Sequence, residues 1–350
     1  MKQKWFKQGC RGCFVALFPA WLLLSPGPEG VWADEWYGDW SLRLESKTPA
    51  WMSIRETNGK PTVKLRLHVG PDGPHKVTEY TDKTLKLTLR SNKRSQVARS
   101  LEATLEGGRL AGQIHSVTES GKREVDRFVG KKIPPGPKTP PDLTKVRYGA
   151  PISLFNGKDL SGWRPHEKDK INGWSVEDGV LVNTTPKIDF SATGAYANLR
   201  TESVFEDFRL HIEFLVEKDR NSGVYLRGMY EAQVVDRDSR MQGIQGAGAI
   251  FGQIEPSKNA GFSGGKWQTY DLTLVDRHVT VVLNGEKVID NAPLSGPTGG
   301  AVFTDPTEPG PIHLQGDHTQ VKFRNIYLAP VLDPASTHSV ELESTRQGKQ

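Results

Sequence analysis

Cysteine is absent from this 350-residue chain after its first 13 positions, because the sequence contains only Cys10 and Cys13. From residue 14 onward, disulfide bonds and thiolate catalysis are therefore excluded. A Cys-x-x-Cys pair can mark a redox or zinc site, but here an apolar stretch typical of export segments follows it at once. Chemistry further along the chain must use carboxylate, imidazole, guanidinium, hydroxyl and amide groups.

Long hydrophobic runs are also missing, since a membrane-spanning helix needs about 20 apolar residues. The one clear apolar run, residues 14–24, is short and is interrupted by Pro19. Basic residues precede it, and a small-x-small cleavage site, Val31 to Ala33, follows it. This arrangement predicts a signal peptide over residues 1–33, cleaved after Ala33, and export to the periplasm or beyond the cell. An uncleaved N-terminal anchor is the alternative. After cleavage, we expect no stable membrane insertion.

A strong excess of one charge is missing as well. The chain has 46 Lys and Arg residues against 41 Asp and Glu residues, a formal net charge of +5. The first 33 residues contain four of these bases and one of the acids, so 42 bases and 40 acids remain, a net charge of +2. No basic stripe with interleaved aromatic residues occurs, so we expect no nucleic-acid partner.

Proline is concentrated in residues 133–143, where five of eleven residues are proline. Proline has no backbone N–H and does not fit inside a sheet or helix, so this segment predicts a semi-rigid linker. The predicted domains are a small all-β module of unknown role over 34–132, a Pro-rich linker over 133–149, a larger module over 150–330 and a polar tail over 331–350.

Strand periodicity is common, whereas no stretch has a clear helical stripe. Apolar and polar residues alternate over 63–69 in the first module and over 208–214 in the second. Turn signals such as Asn58-Gly59 and Asn284-Gly285 separate the strands. The pattern predicts an all-β protein. We expect six or so antiparallel strands in a small barrel or sandwich, followed by an antiparallel β-sandwich.

Hydrogen-bonding side chains are concentrated in residues 221–236. If Gly228 to Tyr230 form a three-residue hairpin loop, Arg227 lies opposite Glu231 and Tyr225 lies opposite Gln233, with all four on one face. Such a gathering predicts the floor of a polar pocket. An Arg–Glu pair on an open surface is the alternative.

A second polar segment begins at His313. Alternation with core residues places His313 and Gln315 on the face opposite the core. Gly316 predicts a β-bulge that would re-aim Asp317 or His318. A carboxylate beside a histidine can orient the ring and make it a general base. A surface histidine in a loop is the alternative.

Motifs for metals and phosphates are absent. The sequence has no His-x-His and no His-Glu-x-x-His, so Asp236 and Asp238 could join the Asp317–His318 pair as ligands only through the fold. The glycine-rich stretch 243–252 lacks the Lys-Ser or Lys-Thr of a phosphate loop. It predicts a flexible loop over the edge of the sandwich.

Several motifs in the second module resemble, in order and spacing, the DUF1080 family of 3-keto-disaccharide hydrolases, also described as 3-keto-glucoside lyase/hydratases. The resemblance covers residues 152–330, about half of the chain, and leaves the first module uncovered. The motifs are LFNGKDLSGW at 154–163, WSVEDGVL at 174–181, FEDFRL at 205–210, NSGVYLR at 221–227, YEAQ at 230–233, WQTYD at 267–271, LQGDH at 314–318 and FRNI at 323–326.

This resemblance implies a concanavalin-like jelly-roll β-sandwich whose concave sheet binds sugar, with an oligosaccharide or 3-keto-glycoside as substrate. It also implies an elimination reaction. The 3-keto group acidifies the proton on C2, a base removes that proton, the substituent on C1 leaves, and water can then add. A donor or a metal would polarise the ketone oxygen.

The resemblance also implies roles for particular residues. The predicted catalytic residues are Glu231 and His318, either of which would be the base. The predicted substrate-binding residues are Asn221, Tyr225, Arg227, Gln233 and Gln315. Asp317 would orient His318 or hold a divalent metal, and no other cofactor is predicted. Two departures from the family pattern are the inserted Gly316 and Ala232, which replaces a β-branched residue.

Two other functions remain open on the sequence alone, a non-catalytic carbohydrate-binding module and a cell-envelope interaction protein. A catalytic site predicts that Arg227, Glu231, Gln233 and His318 converge in one cleft with a shifted pKa. A binding module predicts an exposed aromatic platform. An interaction protein predicts a sizeable apolar patch on the first module.

Overall fold

A computed structural model describes residues 34–67, 73–89, 98–117, 120–186 and 192–332. In these ranges the chain is all-β, apart from 3-10 turns at Asp34–Trp36 and Gly243–Gln245. The predicted signal peptide and the tail beyond Leu332 lie outside the described residues. None of the helices in the described ranges is long and apolar enough to cross a membrane.

In the described part of the first module there are eight antiparallel strands, where the sequence predicts six or so. They are β1 (Gly38–Leu44), β2 (Pro49–Thr57), β3 (Lys60–Leu67), β4 (Lys76–Tyr80), β5 (Thr84–Leu89), β6 (Ala98–Glu106), β7 (Arg109–Val117) and β8 (Arg123–Ile133). Their order in the sheet is β3-β2-β1-β8-β7-β6-β5-β4. An isolated bridge between Val63 and His75 links β3 to the start of β4, so the sheet curls into a nearly closed barrel.

Alternation along the strands fills the barrel interior. Val63 and Leu65 of β3 are buried, and so is Leu87 of β5. Burying an aliphatic side chain of this size contributes about 1.5–3 kcal/mol to stability. The turn Asn58-Gly59 joins β2 to β3 with φ values of 53° and 72°, as a two-residue hairpin requires.

The second module has thirteen strands among its described residues. They are β9 (Ile152–Ser153), β10 (Trp163–Pro165), β11 (Trp174–Glu177), β12 (Val180–Asn183), β13 (Leu199–Thr201), β14 (Phe208–Val216), β15 (Ser222–Leu226), β16 (Tyr230–Val234), β17 (Lys266–Val275), β18 (His278–Leu283), β19 (Glu286–Pro293), β20 (His313–Leu314) and β21 (Val321–Pro330). The smaller sheet has the order β10-β13-β20-β15-β16. The larger sheet has the order β11-β12-β21-β14-β17-β18-β19, with β9 paired to β21.

The two sheets enclose one hydrophobic core. Phe214 and Tyr270 from the larger sheet and Val224 and Leu314 from the smaller sheet are fully buried in it. Side chains one position along each strand point to the opposite face. The fold is therefore all-β, a barrel followed by a jelly-roll sandwich, as predicted, and the smaller sheet turns a set of polar side chains away from this core.

The Pro-rich linker lies along the second module. The guanidinium of Arg277 donates hydrogen bonds to the carbonyls of Pro134 and Pro135 at 2.7 and 2.8 Å. The Asn291 amide donates to the carbonyl of Pro141 at 2.8 Å. These bonds tie the linker to the sandwich.

Candidate active site

The smaller sheet carries a row of polar side chains on its outer face, one from each of its five strands. Cross-strand pairing brings them into register. In sheet order, this first polar row consists of Arg164, Arg200, His313, Tyr225 and Glu231. A row of this kind forms the floor of a binding surface, because its members share one face.

A second polar row lies beside the first. Its members are His166, Asn198, Gln315, Gly223 and Gln233. Backbone bonds hold the row together, since the Gln315 N–H donates to the Gly223 carbonyl at 3.0 Å and the His166 N–H donates to the Asn198 carbonyl at 2.9 Å. Gly223 and Gln233 are paired across β15 and β16. The two rows together give a polar surface rich in amide and imidazole groups.

Glu231 is 3% exposed and lies close over Gly223 on the neighbouring strand. A Cβ atom placed on Gly223 would come within 2.2 Å of Glu231 Oε1, so glycine makes room for the carboxyl group. Burial raises the pKa of Glu231 to about 8. Asp317 adds to this increase, whereas Tyr225 and Arg66 oppose it. A carboxyl group with this pKa can take up and release a proton near neutral pH.

Tyr225 places its hydroxyl group within the same cluster. The hydroxyl donates a hydrogen bond to the Gly299 carbonyl at 2.9 Å and accepts one from Gln315 Nε2 at 3.2 Å. Burial raises the pKa of Tyr225 well above its usual value, and the nearby Glu231 carboxyl raises it further. The phenol therefore stays protonated and can act as a neutral donor.

Asp317 and His318 form a pair beside this cluster. Asp317 Oδ1 lies 2.6 Å from His318 Nδ1, and the two side chains are 11% and 18% exposed. Asn198 Oδ1 accepts the backbone N–H groups of Gly316 and Asp317 at 2.8 and 3.2 Å, which orients this segment. The pair is therefore more enclosed than a surface histidine in a loop would be.

Gly316 does not form the predicted β-bulge. Strand β20 ends at Leu314, so Gly316 lies beyond the ladder. A Cβ atom on Gly316 would come within 2.5 Å of the Trp174 indole nitrogen. The glycine thus serves close packing against Trp174, and the bulge prediction was wrong.

Residues 150–329, slightly more than half of the chain, match the family described as the 3-keto-alpha-glucoside-1,2-lyase-like domain. The chain belongs to this family. Over 75 residues it is 32% identical to the 3-keto-disaccharide hydrolase of Bacteroides thetaiotaomicron. That alignment covers 21% of this chain and 26% of the curated relative, so the chain spans only about a quarter of that protein.

Two solved structures similar to this chain come from Parabacteroides distasonis, and both are provisionally named glycosyl hydrolases. The first is 28% identical, covers 57% of this chain and 93% of the other, and has a TM-score of 0.42. The second is 22% identical, covers 52% and 94%, and has a TM-score of 0.43.

The β15–β16 hairpin of the lyase-like domain differs from the predicted register. The loop is Arg227 to Met229, and Tyr225 pairs with Glu231 while Gly223 pairs with Gln233. The predicted pairing of Arg227 with Glu231 was wrong because the turn begins one residue earlier, with Arg227 and Gly228 at positive φ.

This turn gives Arg227 a structural role, because its side chain binds backbone carbonyls of the segment 306–308. It is 2% exposed, and its guanidinium donates to the carbonyls of Pro306, at 2.9 Å, and Glu308. Asp207 lies 3.9 Å away. The predicted convergence of Arg227 with Glu231, Gln233 and His318 therefore fails for Arg227, and we do not include it in the proposed substrate-binding set.

Gln233 and Gln315, both predicted to bind substrate, lie on the second polar row, on either side of Gly223. Gln233 is fully buried and Gln315 nearly so. Within the described ranges, the Oε1 atom of each has no hydrogen-bond partner. Buried acceptors are nearly always satisfied in proteins, so a ligand hydroxyl is a suitable donor for them.

Asn221 lies at the start of β15, where its backbone exchanges hydrogen bonds of 2.8 and 2.9 Å with the Thr319 hydroxyl. This contact ties the hairpin to the segment that follows the Asp317–His318 pair. Asn221 is 5% exposed. Its backbone bonds to Thr319 give it a structural role beside the site.

Arg164 and Arg200 belong to the first polar row but were missed in the sequence. Their strands, β10 and β13, have only three residues each, which is too short to display alternation. Burial and the neighbouring Arg164 lower the pKa of Arg200. The one available signal was the position of Arg164 directly after the family motif that ends at Trp163.

The described ranges contain no group of three or more His, Asp or Glu side chains arranged to hold a metal ion. Asp236 instead accepts the backbone N–H groups of Asp219 and Asp238 at 3.1 and 3.0 Å. The metal role predicted for Asp317 stays a prediction.

Proposed function

We propose that the protein is an exported enzyme that cleaves 3-keto-glycosides by removing the C2 proton and eliminating the C1 substituent, followed by hydration. The observation that best supports this proposal is the buried Glu231, whose pKa is about 8. It lies beside the protonated Tyr225 and the Asp317–His318 pair. Family membership supports the substrate class. The signal-peptide pattern in residues 1–33 supports export.

In the proposed reaction, the ketone at C3 acidifies the hydrogen on C2. The Glu231 carboxylate takes this proton, and the electrons of the C2–H bond form a C1–C2 double bond. The C1–O bond breaks and its electrons leave with the departing group, which takes a proton from His318 or water. Water then adds across the double bond, so the net reaction is hydrolysis.

Substrate recognition is proposed to come from the two polar rows. The ketone oxygen gains negative charge during the reaction, which the Arg200 guanidinium of the first polar row is suited to stabilise. The unsatisfied Oε1 atoms of Gln233 and Gln315 would accept hydrogen bonds from sugar hydroxyls. Asn221 would keep the hairpin in position beneath them.

A non-catalytic carbohydrate-binding module is the second candidate, because polar rows also bind sugars. Such modules commonly present flat aromatic platforms. Among the large exposed apolar side chains of the described ranges, the aromatic ones are Phe262, in a loop, and Tyr327, on β21 of the larger sheet, so neither lies on the smaller sheet that carries the polar rows. A binding module also gains nothing from a buried carboxyl with a raised pKa, which costs stability.

The cell-envelope interaction alternative has less support. Within the described part of the first module, the large exposed apolar side chains are Val117, Val125 and Val129. The register places all three on one face of the β7–β8 pair, where three valines are still an ordinary amount of exposed apolar surface. They do not form the sizeable patch that this alternative predicts.

The direct test is to incubate the mature protein, residues 34–350, with 3-keto-trehalose or another 3-keto-glucoside in D₂O. We expect release of the aglycone and deuterium at C2 of the sugar product, because hydration delivers a solvent proton there. Enzyme-free incubation controls for spontaneous exchange, and the unoxidised glycoside should stay intact. Cleavage without C2 deuterium would contradict elimination, and intact substrate with measurable binding would favour the binding module.

The same assay, repeated with a chelator, tests the metal prediction for Asp317. Activity lost on chelation and restored by a divalent cation would support a metal. N-terminal sequencing of the protein recovered from its producing cell tests export. Asp34 as the first residue is the expected result.

A further inference from the structure

The barrel contacts the sandwich through one cross-strand row on its outer face, which we call the docking row. Its members are Lys131 of β8, Ser41 of β1, Trp51 of β2 and Arg66 of β3. They are paired in this order across neighbouring strands. Paired residues point to the same side of a sheet, so four strands present these side chains together.

The polar end of the docking row holds the segment 304–308 of the second module. Lys131 Nζ lies 2.8 Å from the Asp305 carboxylate and 2.9 Å from the Glu308 carboxylate. The hydroxyls of Ser41 and Thr304 are 2.8 Å apart.

The other end of the row packs on glycines of the segment 296–300. A Cβ atom on Gly296 would lie 2.8 Å from the Trp51 ring, so the indole rests directly on the backbone there. A Cβ atom on Gly299 would lie 3.5 Å from an Arg66 Nη1 atom. The approach of Trp51 therefore depends on glycine at position 296, whereas Arg66 lies at an ordinary contact distance from position 299.

The segment 296–300 also supports the proposed base. The Thr298 hydroxyl accepts the backbone N–H of Glu231 at 3.0 Å and donates to the Met229 carbonyl at 3.0 Å. The Gly299 carbonyl accepts the Tyr225 hydroxyl at 2.9 Å. The barrel therefore contacts one side of a segment whose other side orients Glu231 and Tyr225.

We propose that the N-terminal barrel is a working part of the active site, and that Arg66 is a positioning residue that brings a positive charge to the segment 296–300, which holds Glu231 and Tyr225. This inference rests on the proposed function. It assigns a role to a module that lies outside residues 150–329, the part of the chain that matches the family.

Electrostatics agree with this geometry. Burial and Asp317 raise the pKa of Glu231, whereas the positive charge of Arg66 lowers it. Without Arg66, a smaller fraction of Glu231 is ionised at neutral pH, and less enzyme can abstract a proton.

The kinetic test compares Arg66→Gln, Arg66→Lys and a matched control, Lys64→Gln. Lys64 lies two residues from Arg66 on β3, on the same side of the strand, and is exposed. In Arg66→Gln, the acid limb of the kcat/KM profile should move to higher pH. A shift of about one unit would lower activity at pH 7 roughly tenfold, since each unit below a pKa removes about 90% of the ionised form. Arg66→Lys should restore most of the loss, and Lys64→Gln should match the wild type.

A second measurement does not depend on turnover. With ¹³C-labelled glutamate, the Glu231 carboxyl signal is assigned by its absence in Glu231→Gln, and its titration is followed by NMR in each full-length variant. We expect a higher Glu231 pKa in Arg66→Gln than in the wild type. An unchanged pKa in a folded Arg66→Gln protein would overturn the inference. If the wild type cleaves no 3-keto-glycoside, the proposed function fails, whereas this titration still decides the role of Arg66.

Discussion

At the scale of a single residue, the burial of Glu231 has two opposing effects, one on its proton chemistry and one on the stability of the folded protein. Its burial raises its pKa to about 8, which brings proton exchange close to neutral pH. The same burial makes the ionised form costly to the folded protein. Tyr225 and Arg66 reduce that cost in part. A side chain with these properties is typical of a catalytic position.

Glu231→Gln and His318→Ala test which residue is the base. Replacing the base should lower kcat/KM by about 10²–10⁴-fold, because positioned proton transfer contributes that much. We expect this loss for Glu231→Gln and a smaller one for His318→Ala, measured as cleavage of a 3-keto-glucoside. Full turnover by either variant would remove that residue from the mechanism.

Arg227 should matter for stability and little for turnover. Replacing it with Met removes its bonds to the carbonyls of Pro306 and Glu308 and leaves Asp207 without its nearby positive charge. We expect the free energy of unfolding to fall by about 2–4 kcal/mol, in the range for breaking a buried charged contact. Urea unfolding gives this value. A large kcat loss at a temperature where the variant is folded would return Arg227 to the site.

At the scale of the element, the β15–β16 hairpin aims the site. Its turn, Arg227 to Met229, sets Tyr225 opposite Glu231 and Gly223 opposite Gln233. The loop after β16 supports the outer edge, where the Phe251 N–H donates to the Glu231 carbonyl at 3.0 Å. Both sides of the strand that carries Glu231 are thus held by backbone bonds.

Gly223→Ala tests this arrangement. The new methyl group would come within 2.2 Å of Glu231 Oε1, so the carboxyl group must move. We expect kcat to fall about 10- to 100-fold, since small misplacements of a catalytic group have effects of this size. Gly136→Ala is the control, because its Cβ would meet other atoms only at 3.6 Å or more. Equal kinetics for the two variants would contradict the close approach.

At the scale of the whole molecule, two modules meet at one segment. The docking row of the barrel, Lys131, Ser41, Trp51 and Arg66, reaches the segment 296–308, which also supports the hairpin. The barrel and the sandwich keep separate hydrophobic cores. The site of the sandwich therefore depends on a neighbour that the family match does not cover.

Two buried carboxyls should make the molecule lose stability as pH rises. Burial raises the pKa of Asp207 from 3.8 to about 6 and that of Glu231 from 4.5 to about 8. At pH values between the ordinary pKa and the raised pKa of each group, the folded state holds more protons than the unfolded state. The free energy of unfolding therefore falls with rising pH through these windows.

Thermal unfolding between pH 4 and pH 9 measures this effect. Asp207→Asn should flatten the decline in unfolding free energy below about pH 6. Glu231→Gln should flatten the same decline up to about pH 8. At pH 9, Glu231→Gln should be more stable than the wild type by an amount on the order of 3 kcal/mol. Glu56→Gln, at an exposed position, is the control. A Glu231→Gln curve parallel to that of the wild type would show that Glu231 is not buried in its charged form.

The sequence by itself determined the strand pattern, the Pro-rich boundary and the polar segments that carry Tyr225, Glu231 and Gln315. These features are local, since the face of a strand residue follows from alternation over a few positions. Only the tertiary structure decided which side chains meet. The register of the hairpin changed with a one-residue shift of its turn, which moved Arg227 away. Pairing between strands distant in sequence brought in the polar row. Packing between modules brought Arg66 against the segment that holds Glu231, which no local pattern records.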